Sequence, residues 1–260
     1  MDAGPLDPTQ RFSNRVDDYV RYRPFYPKAL IDLLRRACGM TAEWIVADVG
    51  SGPGNLTRLF LDHGNRVHGI EPNREMREAG ERLLGGYPRF TSVIGTAEET
   101  TLPDGSVDLV VAGQAFHWFD PARARREFAR VLRPPRWVAL VWNERRVDAT
   151  PFLAAYERLM LAHGTDYATV GHSNADPTNT IALDAFFGAD GYTRATFENR
   201  QLFDFEGLRG RLLSSSYAPA AGQPGHDLLL TGLRAAFDVH QENGAVSFEY
   251  NTTVSYGCLR

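Results

Sequence analysis

A short apolar strand that runs directly into three glycines constrains the fold of this chain more than any other feature. Residues 44–50 read WIVADVG, and SGPGN follows at 51–55 before a helical pattern begins. Gly50, Gly52 and Gly54 allow the backbone to turn sharply and to approach a ligand closely. The order of strand, glycine loop and helix predicts the first unit of an open α/β sheet.

The same alternation continues to about residue 143. Strand patterns follow at 66–72, 89–95, 106–116 and 136–143, and helical patterns at 28–38, 55–64, 73–84 and 121–132. Near-continuous apolar strands between amphipathic helices predict a parallel sheet covered on both faces. Beyond residue 150 the patterns predict helices at 151–163, 206–215 and 226–242, a loop at 164–180, and strands at 192–205 and 245–260.

Composition excludes several classes of function. The 260 residues contain 28 Lys and Arg against 32 Asp and Glu, a net charge of −4, which disfavours binding to a nucleic-acid backbone. Cys38 and Cys258 lie far apart in the sequence and lack metal-site spacing, which favours a reducing compartment and no metal. Without a signal-peptide pattern or a run of about 18 apolar residues, we expect a cytoplasmic protein that does not contact membranes.

Acidic residues stand at the ends of the first two predicted strands. Glu71 lies 21 positions after Gly50, where a carboxylate can accept both hydroxyls of an adenosine ribose. A dinucleotide loop reads G-x-G-x-x-G/A, but the sixth position from Gly50 is Asn55, so the fit to NAD(P) is poor. Asp48 disfavours a pyrophosphate and suits a ligand with an ammonium group, such as S-adenosyl-L-methionine.

The loop DVGSGPGN at 48–55 resembles the first motif, D/E-x-G-x-G-x-G, of class I S-adenosylmethionine-dependent methyltransferases. The resemblance continues in GIEPNREM at 69–76, GTAEETTLPDGSVDLV at 95–110 and REFARVLRPPRWVAL at 126–140, and it points to the type 11 branch, which methylates small molecules. Within that branch the chain is similar to trans-aconitate methyltransferase-like proteins.

The resemblance implies a fold and a division of the chain. The fold is α/β, a Rossmann-like seven-stranded sheet that is mostly parallel with one antiparallel strand and has helices on both faces. Residues 1–43 would form an N-terminal lid arm and first helix, 44–150 the cofactor-binding core, and 151–260 a helical cap insertion plus the strands that complete the sheet. We expect one domain overall, as a monomer or a homodimer.

The resemblance also implies cofactor contacts. Asp48, Gly50 and Gly52 would surround the methionine part, Glu71 would take the ribose, and Pro72 and Met76 would pack against adenine. Many relatives have an aspartate where Thr96 stands, so either Thr96 or Glu98 would take the adenine amino group. The full implied set is Asp48, Gly50, Ser51, Gly52, Asn55, Glu71, Pro72, Met76, Thr96, Ala97, Glu98, Gln114 and Phe116. The cofactor would be S-adenosyl-L-methionine and the product S-adenosyl-L-homocysteine.

The acceptor is expected at the carboxyl ends of the fourth and fifth strands. Residues placed there or in the lid are Tyr19, Tyr22, Arg23, Tyr26, Trp118, Trp142, Asn143 and Tyr217. The arm has an alternative interpretation, in which it packs on the sheet for stability alone. Tyr217 likewise has one, in which it belongs to a polar helix end. His117 has three open interpretations: a general base, a hydrogen-bonding group that takes no proton, or a structural histidine.

Trp118 resembles the tryptophan of the LQW or LHW element found in relatives that methylate carboxylates. A carboxylate oxygen is therefore one candidate acceptor, and N- or C-methylation of another small metabolite is the alternative. Two further hypotheses are an NAD(P)-dependent oxidoreductase and a protein that binds S-adenosylmethionine without turnover.

Overall fold

The computed structural model describes residues 20–165, 167, 180–188, 191–215 and 217–259. Seven strands in these residues form one sheet in the order β3-β2-β1-β4-β5-β7-β6. The strands are β1 (Ile45–Val49), β2 (Arg66–Ile70), β3 (Phe90–Val93), β4 (Val107–Gly113), β5 (Leu132–Arg145), β6 (Thr193–Phe203) and β7 (Val246–Cys258).

The helices alternate with the first five strands and then cluster in the last third of the chain. They are α1 (Ala29–Cys38), α2 (Asn55–His63), α3 (Arg74–Leu84), α4 (Pro121–Val131), α5 (Pro151–His163), α6 (Thr180–Phe187), α7 (Phe205–Leu213) and α8 (His226–His240). Local sequence sets several ends: the Asp120 side chain accepts hydrogen bonds from the first turn of α4, which begins with Pro121. No described helix is both long and apolar enough to cross a membrane.

Strand direction confirms the expected fold class. β1 pairs in parallel with β2 and β4, β2 with β3, and β4 with β5. β7 runs antiparallel to both β5 and β6. The strand order reverses between β1 and β4, and the carboxyl ends of strands at such a switch point flank the crevice where open α/β sheets bind ligands.

Three buried clusters form the core. α1 and α2 cover one face of the sheet, and α4 and α6 cover the other. A third cluster lies among α5, α7, α8 and the paired ends of β6 and β7, and we call this part of the chain the cap.

Three details differ from the sequence patterns. Residues 20–22 are helical, although Pro24 and Pro27 predicted no helix in this segment; the helical turn simply ends before Pro24. β5 starts at Leu132, in the last position of the predicted helix, because this residue already pairs with Val107 of β4. Helix α6 was not predicted at all, and most of the predicted 164–180 loop lies outside the described residues.

Candidate functional site

The glycine loop after β1 has a left-handed backbone at Gly50, Gly52 and Gly54, with φ of 69°, 55° and 94°. A Cβ at Gly50 would lie 2.6 Å from the Cβ of Ala115, so the loop packs against the end of β4. A Cβ at Gly52 would have no atom within 4 Å, so this glycine borders open space. The position beside Gly52 is therefore open to a ligand.

Asp48, near the end of β1, is buried with 1% exposure. Its Oδ2 accepts a hydrogen bond of 2.6 Å from the Thr57 hydroxyl of α2, whereas its Oδ1 has no hydrogen-bond partner. Burial raises the pKa of Asp48 to about 7, against the lowering effect of Thr57, and the nearby Glu71 raises it further. A buried carboxylate oxygen with no partner is costly, and a cationic donor would satisfy it.

Glu71 follows β2 and is also buried. Its Oε2 accepts from the Gly52 N–H at 2.8 Å, and its Oε1 accepts from the Asn73 N–H at 2.9 Å. Burial raises the pKa of Glu71, and the two backbone N–H groups oppose that rise. Each carboxylate oxygen has about two lone pairs, so Glu71 can still accept one hydroxyl at each oxygen.

The other predicted residues of this region lie in the loop, just after β2 and in the first turn of α3. Ser51 and Asn55 are half-buried in the loop and at the first position of α2, and Pro72 is half-buried just beyond Glu71. Met76 lies in the first turn of α3 with 5% exposure, and its N–H donates to the Asn73 side chain.

The segment after β3 is held by its own side chains. The Thr96 hydroxyl accepts from the N–H groups of Glu98 and Glu99, at 3.3 and 3.2 Å. The Glu98 carboxylate accepts from the Asp120 N–H at 2.8 Å, which ties this segment to the start of α4, and Ala97 is buried. Both candidate contacts to adenine, Thr96 and Glu98, thus already form structural hydrogen bonds.

Gln114 joins the ends of β4 and β5. Its φ of 57° is left-handed, and its amide donates to the Asn143 carbonyl at 3.1 Å and accepts from the Asn143 N–H at 3.3 Å. The Asn143 side chain accepts from the Thr252 hydroxyl at 2.5 Å and donates to the Phe25 carbonyl at 3.4 Å. Asn143 therefore connects β5, β7 and the N-terminal arm, a role that the sequence did not predict.

The segment Phe116–Trp118 is a short 3-10 turn after β4. Phe116 is buried and packs edge-on against Trp142 and Phe186, with ring centroids 6.2 and 5.0 Å apart. His117 is half-buried and its ring lies tilted against that of Trp118, with centroids 4.6 Å apart, and Trp118 is 40% exposed. Phe116 and Trp142 thus belong to the core, while His117 and Trp118 are accessible at the carboxyl edge of the sheet.

The N-terminal arm divides between two places. Tyr26 packs against Gly113, at the carboxyl end of β4. A Cβ added at Gly113 would lie 2.5 Å from the Tyr26 hydroxyl oxygen. The Tyr22 ring instead lies against Gly210 of α7 and packs on the cap core. The Arg23 guanidinium donates to the Ser214 carbonyl at 3.1 Å. Tyr19 lies outside the described residues.

Sequence reasoning also missed functional side chains. Thr57, which holds Asp48, lies in the first turn of α2 directly after the loop, and a hydroxyl at that position is a local signal that could have found it. Two buried arginines that the sequence did not single out, Arg145 and Arg211, lie in the cap and are treated below. Tyr217, which the sequence placed in the acceptor or lid set, packs against the same cap core. Among the described residues, no group of three or more His, Cys, Asp or Glu side chains is arranged to hold a metal ion.

Sequence similarity to known proteins falls in the same region of the chain as the glycine loop, Asp48 and Glu71. Residues 47–140 match a sequence family described as "Methyltransferase domain". An uncharacterized methyltransferase of Mycobacterium tuberculosis is 42% identical over 145 residues, which cover 56% of this chain and 57% of that protein. The chain thus matches little more than half the length of such curated relatives.

Solved structures match more of the chain at lower identity. A protein from Anaeromyxobacter dehalogenans, described as a candidate type II methyltransferase, superposes with a TM-score of 0.64 at 24% identity, over 91% of this chain and 98% of that one. Phosphoethanolamine N-methyltransferase 2 of Haemonchus contortus, in complex with phosphomonomethylethanolamine and S-adenosylhomocysteine, gives a TM-score of 0.57 at 16% identity, over 98% of this chain and 59% of that one. At these identities the match shows a shared fold.

Proposed function

We propose that the protein is a class I methyltransferase of type 11 that transfers a methyl group from S-adenosyl-L-methionine to a small-molecule acceptor. The match of residues 47–140 to a methyltransferase domain family supports this proposal. The observation that carries the proposal is the paired arrangement of Asp48 and Glu71 behind the glycine loop. Both are buried carboxylates, and Asp48 keeps one oxygen without a partner.

The residues present fit this cofactor. Asp48 Oδ1 would accept from the ammonium of the methionine part, and Glu71 would accept both ribose hydroxyls with the lone pairs that its backbone contacts leave. Gly52 would border the cofactor because a side chain there would fill the open space. Pro72, Met76 and Ala97 would offer apolar surface to adenine.

A phosphate-containing dinucleotide fits this arrangement less well. Its pyrophosphate would approach a buried carboxylate at Asp48, which is electrostatically unfavourable. The open position at Gly52 and the N-terminus of α2 remain compatible with other adenosine ligands, so an NAD(P)-dependent oxidoreductase is the second enzyme hypothesis and is tested directly below.

The chain's own residues would position the acceptor and exclude water. The sulfonium supplies an activated methyl carbon, so an in-line displacement needs the nucleophile held about 3 Å from that carbon. His117 and Trp118 on the 3-10 turn and Tyr26 of the arm would border the acceptor. Gln114 and Asn143 would act by fixing the ends of β4 and β5.

For the accepting atom we propose a carboxylate oxygen, with N- or C-methylation as the alternative. A carboxylate is already deprotonated near neutral pH and needs no general base. This choice assigns His117 a hydrogen-bonding role.

The test uses S-adenosyl-L-methionine with a trideuterated methyl group and separate pools of small carboxylic acids and small amines. We expect protein-dependent label in an acid and accumulation of S-adenosyl-L-homocysteine, both detected by mass spectrometry. Glu71→Gln should abolish the label, whereas Glu78→Gln, at an exposed ion pair of α3, should keep it. Label in amines alone would overturn the carboxylate proposal, and a protein that binds the cofactor but labels neither pool would be a non-catalytic binder.

A further inference from the structure

Arg145 ends β5 inside the cap, and its side chain is 8% exposed. It forms an ion pair with Glu157 of α5 and donates to the Tyr167 hydroxyl at 2.7 Å. Its Nη1 is buried and has no hydrogen-bond partner. Half of the guanidinium fork is therefore satisfied by protein groups and the other half is not.

Arg211 of α7 is a second buried guanidinium, with 6% exposure. Its hydrogen bonds go to two neutral hydroxyls, those of Tyr250 at 3.3 Å and Ser215 at 3.2 Å. Within the described part of the chain it has no carboxylate partner. An arginine buried without a counter-charge costs typically several kcal/mol of stability, and a bound anion would offset that cost.

Tyr217 lies close to two of these charges in the chain: Arg211 donates to the Ser215 hydroxyl and Arg23 to the Ser214 carbonyl, two and three residues before it. Burial alone would raise the pKa of the Tyr217 hydroxyl, but Arg23, Arg211 and Arg145 together lower that pKa below its usual value. The Tyr217 ring also packs edge-on against Tyr167, with centroids 4.9 Å apart. Tyr167 in turn accepts from Arg145, so arginines from the arm, from β5 and from α7 lie near one tyrosine. We call this group the arginine cluster: Arg23, Arg145, Arg211 and Tyr217.

The arginine cluster borders the proposed acceptor site. Arg145 lies two residues beyond Asn143 on β5, about 7 Å along the strand. Asn143 is bonded to Gln114 at the end of β4 and to the Phe25 carbonyl, and Phe25 lies two residues after Arg23. The arginine cluster and the end of β4 are therefore connected through β5 and the N-terminal arm.

We propose that the arginine cluster is a subsite for an anionic group of the methyl acceptor, a carboxylate or a phosphate. Anion binding itself does not depend on the proposed function; only the identification of the anion as part of the methyl acceptor rests on it. The planar forks of Arg145 and Arg211 would bind two oxygens of such a group, and the hydroxyl of Tyr217 would donate to a third. The subsite selects acidic small molecules and orients them with the opposite end toward His117.

The experiment measures anion binding by calorimetry at constant ionic strength, with and without saturating S-adenosyl-L-homocysteine. The probes are acetate, citrate and inorganic phosphate. We expect at least one of them to bind with one anion per chain. Binding of the carboxylates alone would identify a carboxylate subsite, and binding of phosphate alone would identify a phosphate subsite.

Matched variants locate the binding. Arg211→Gln should weaken the anion at least about tenfold, because a buried charge-assisted contact is lost. Arg209→Gln, an exposed position on the same helix, should bind within about twofold of the wild type. Should Arg211→Gln fail to fold, Arg211→Lys keeps the charge without the planar fork and should give an intermediate affinity.

The inference is overturned if no probe binds the wild type, or if the Arg209 and Arg211 variants lose affinity equally. Binding of S-adenosyl-L-homocysteine, titrated in the same samples, should be the same in both variants. If the wild type does not bind S-adenosyl-L-homocysteine, the proposed function is refuted instead. Failure of the anion subsite and failure of the proposed function are therefore distinguishable.

Discussion

The buried carboxyl of Asp48 should destabilise the folded protein at neutral pH when no cofactor is bound. In an unfolded chain its pKa is about 3.9, whereas burial raises it to about 7 in the folded protein. For a group whose folded pKa is raised, the stabilising contribution is complete below pH about 4 and is lost as pH rises through about 7. Replacement by a neutral amide should remove this pH-dependent loss.

The size of the effect follows from the two pKa values. Between pH 5 and pH 8 the free energy of unfolding of the wild type should fall by about 2 to 3 kcal/mol relative to Asp48→Asn. The amide oxygen can still accept from the Thr57 hydroxyl. The amide nitrogen would replace an oxygen that has no partner, which costs about 1 to 3 kcal/mol at every pH and leaves the slope unchanged.

Urea unfolding of both proteins at several pH values, without cofactor, measures this difference. Asp238→Asn, at an exposed ion pair of α8, is the matched control and should change the free energy of unfolding by less than about 1 kcal/mol. A difference between Asp48→Asn and wild type that stays constant from pH 5 to pH 8 would refute the reasoning.

Three further predictions concern the loop, α4 and the 3-10 turn. Gly52→Ala should lower the free energy of unfolding by about 1 to 2 kcal/mol, because the backbone there is left-handed, and should weaken S-adenosyl-L-homocysteine binding at least about tenfold. Gly54→Ala should lose more stability in urea unfolding, because its Cβ would overlap a leucine of α3. Burial alone would raise the pKa of Glu127, but the contacts with Arg130 and the hydrogen bonds from Thr100 outweigh burial and lower the pKa to about 2. The carboxylate therefore stabilises the fold fully above pH about 4.5, and this stabilisation is lost as pH falls through 2. Because Arg130 is more than a third exposed, Glu127→Gln should lose only about 1 to 2 kcal/mol at pH 7 and progressively less toward pH 2 in urea unfolding. His117→Ala should keep turnover within about tenfold, since a carboxylate acceptor needs no base; a loss of a hundredfold or more in the label assay would assign His117 as the base.

The features that the sequence predicted are those encoded within a few neighbouring residues. The glycine loop, Asp48 and Glu71 follow directly from strands whose apolar runs are visible, and N-caps such as Asp120 precede the helices that they start. The strand order and the single antiparallel strand were available only through the family resemblance, because pairing between distant strands leaves no local pattern.

The features that the sequence did not predict depend on contacts between distant residues. The Gln114 amide and Asn143 are 29 positions apart, and Arg211 and Tyr250 are 39 apart, so no spacing rule links them. Helix α6 was missed because its sequence, TIALDAFF, is apolar on several sides and lacks the polar face that marks an amphipathic helix.

Calorimetric titration of the wild-type protein with S-adenosyl-L-homocysteine and, separately, with NAD tests most directly whether the space behind the glycine loop is a methyl-donor site. We expect S-adenosyl-L-homocysteine to bind one per chain, with affinity lost in Glu71→Gln and kept in Glu78→Gln, and NAD to give no heat. Binding of NAD with no heat from S-adenosyl-L-homocysteine would contradict the assignment of Asp48 and Glu71 and the proposed activity with it.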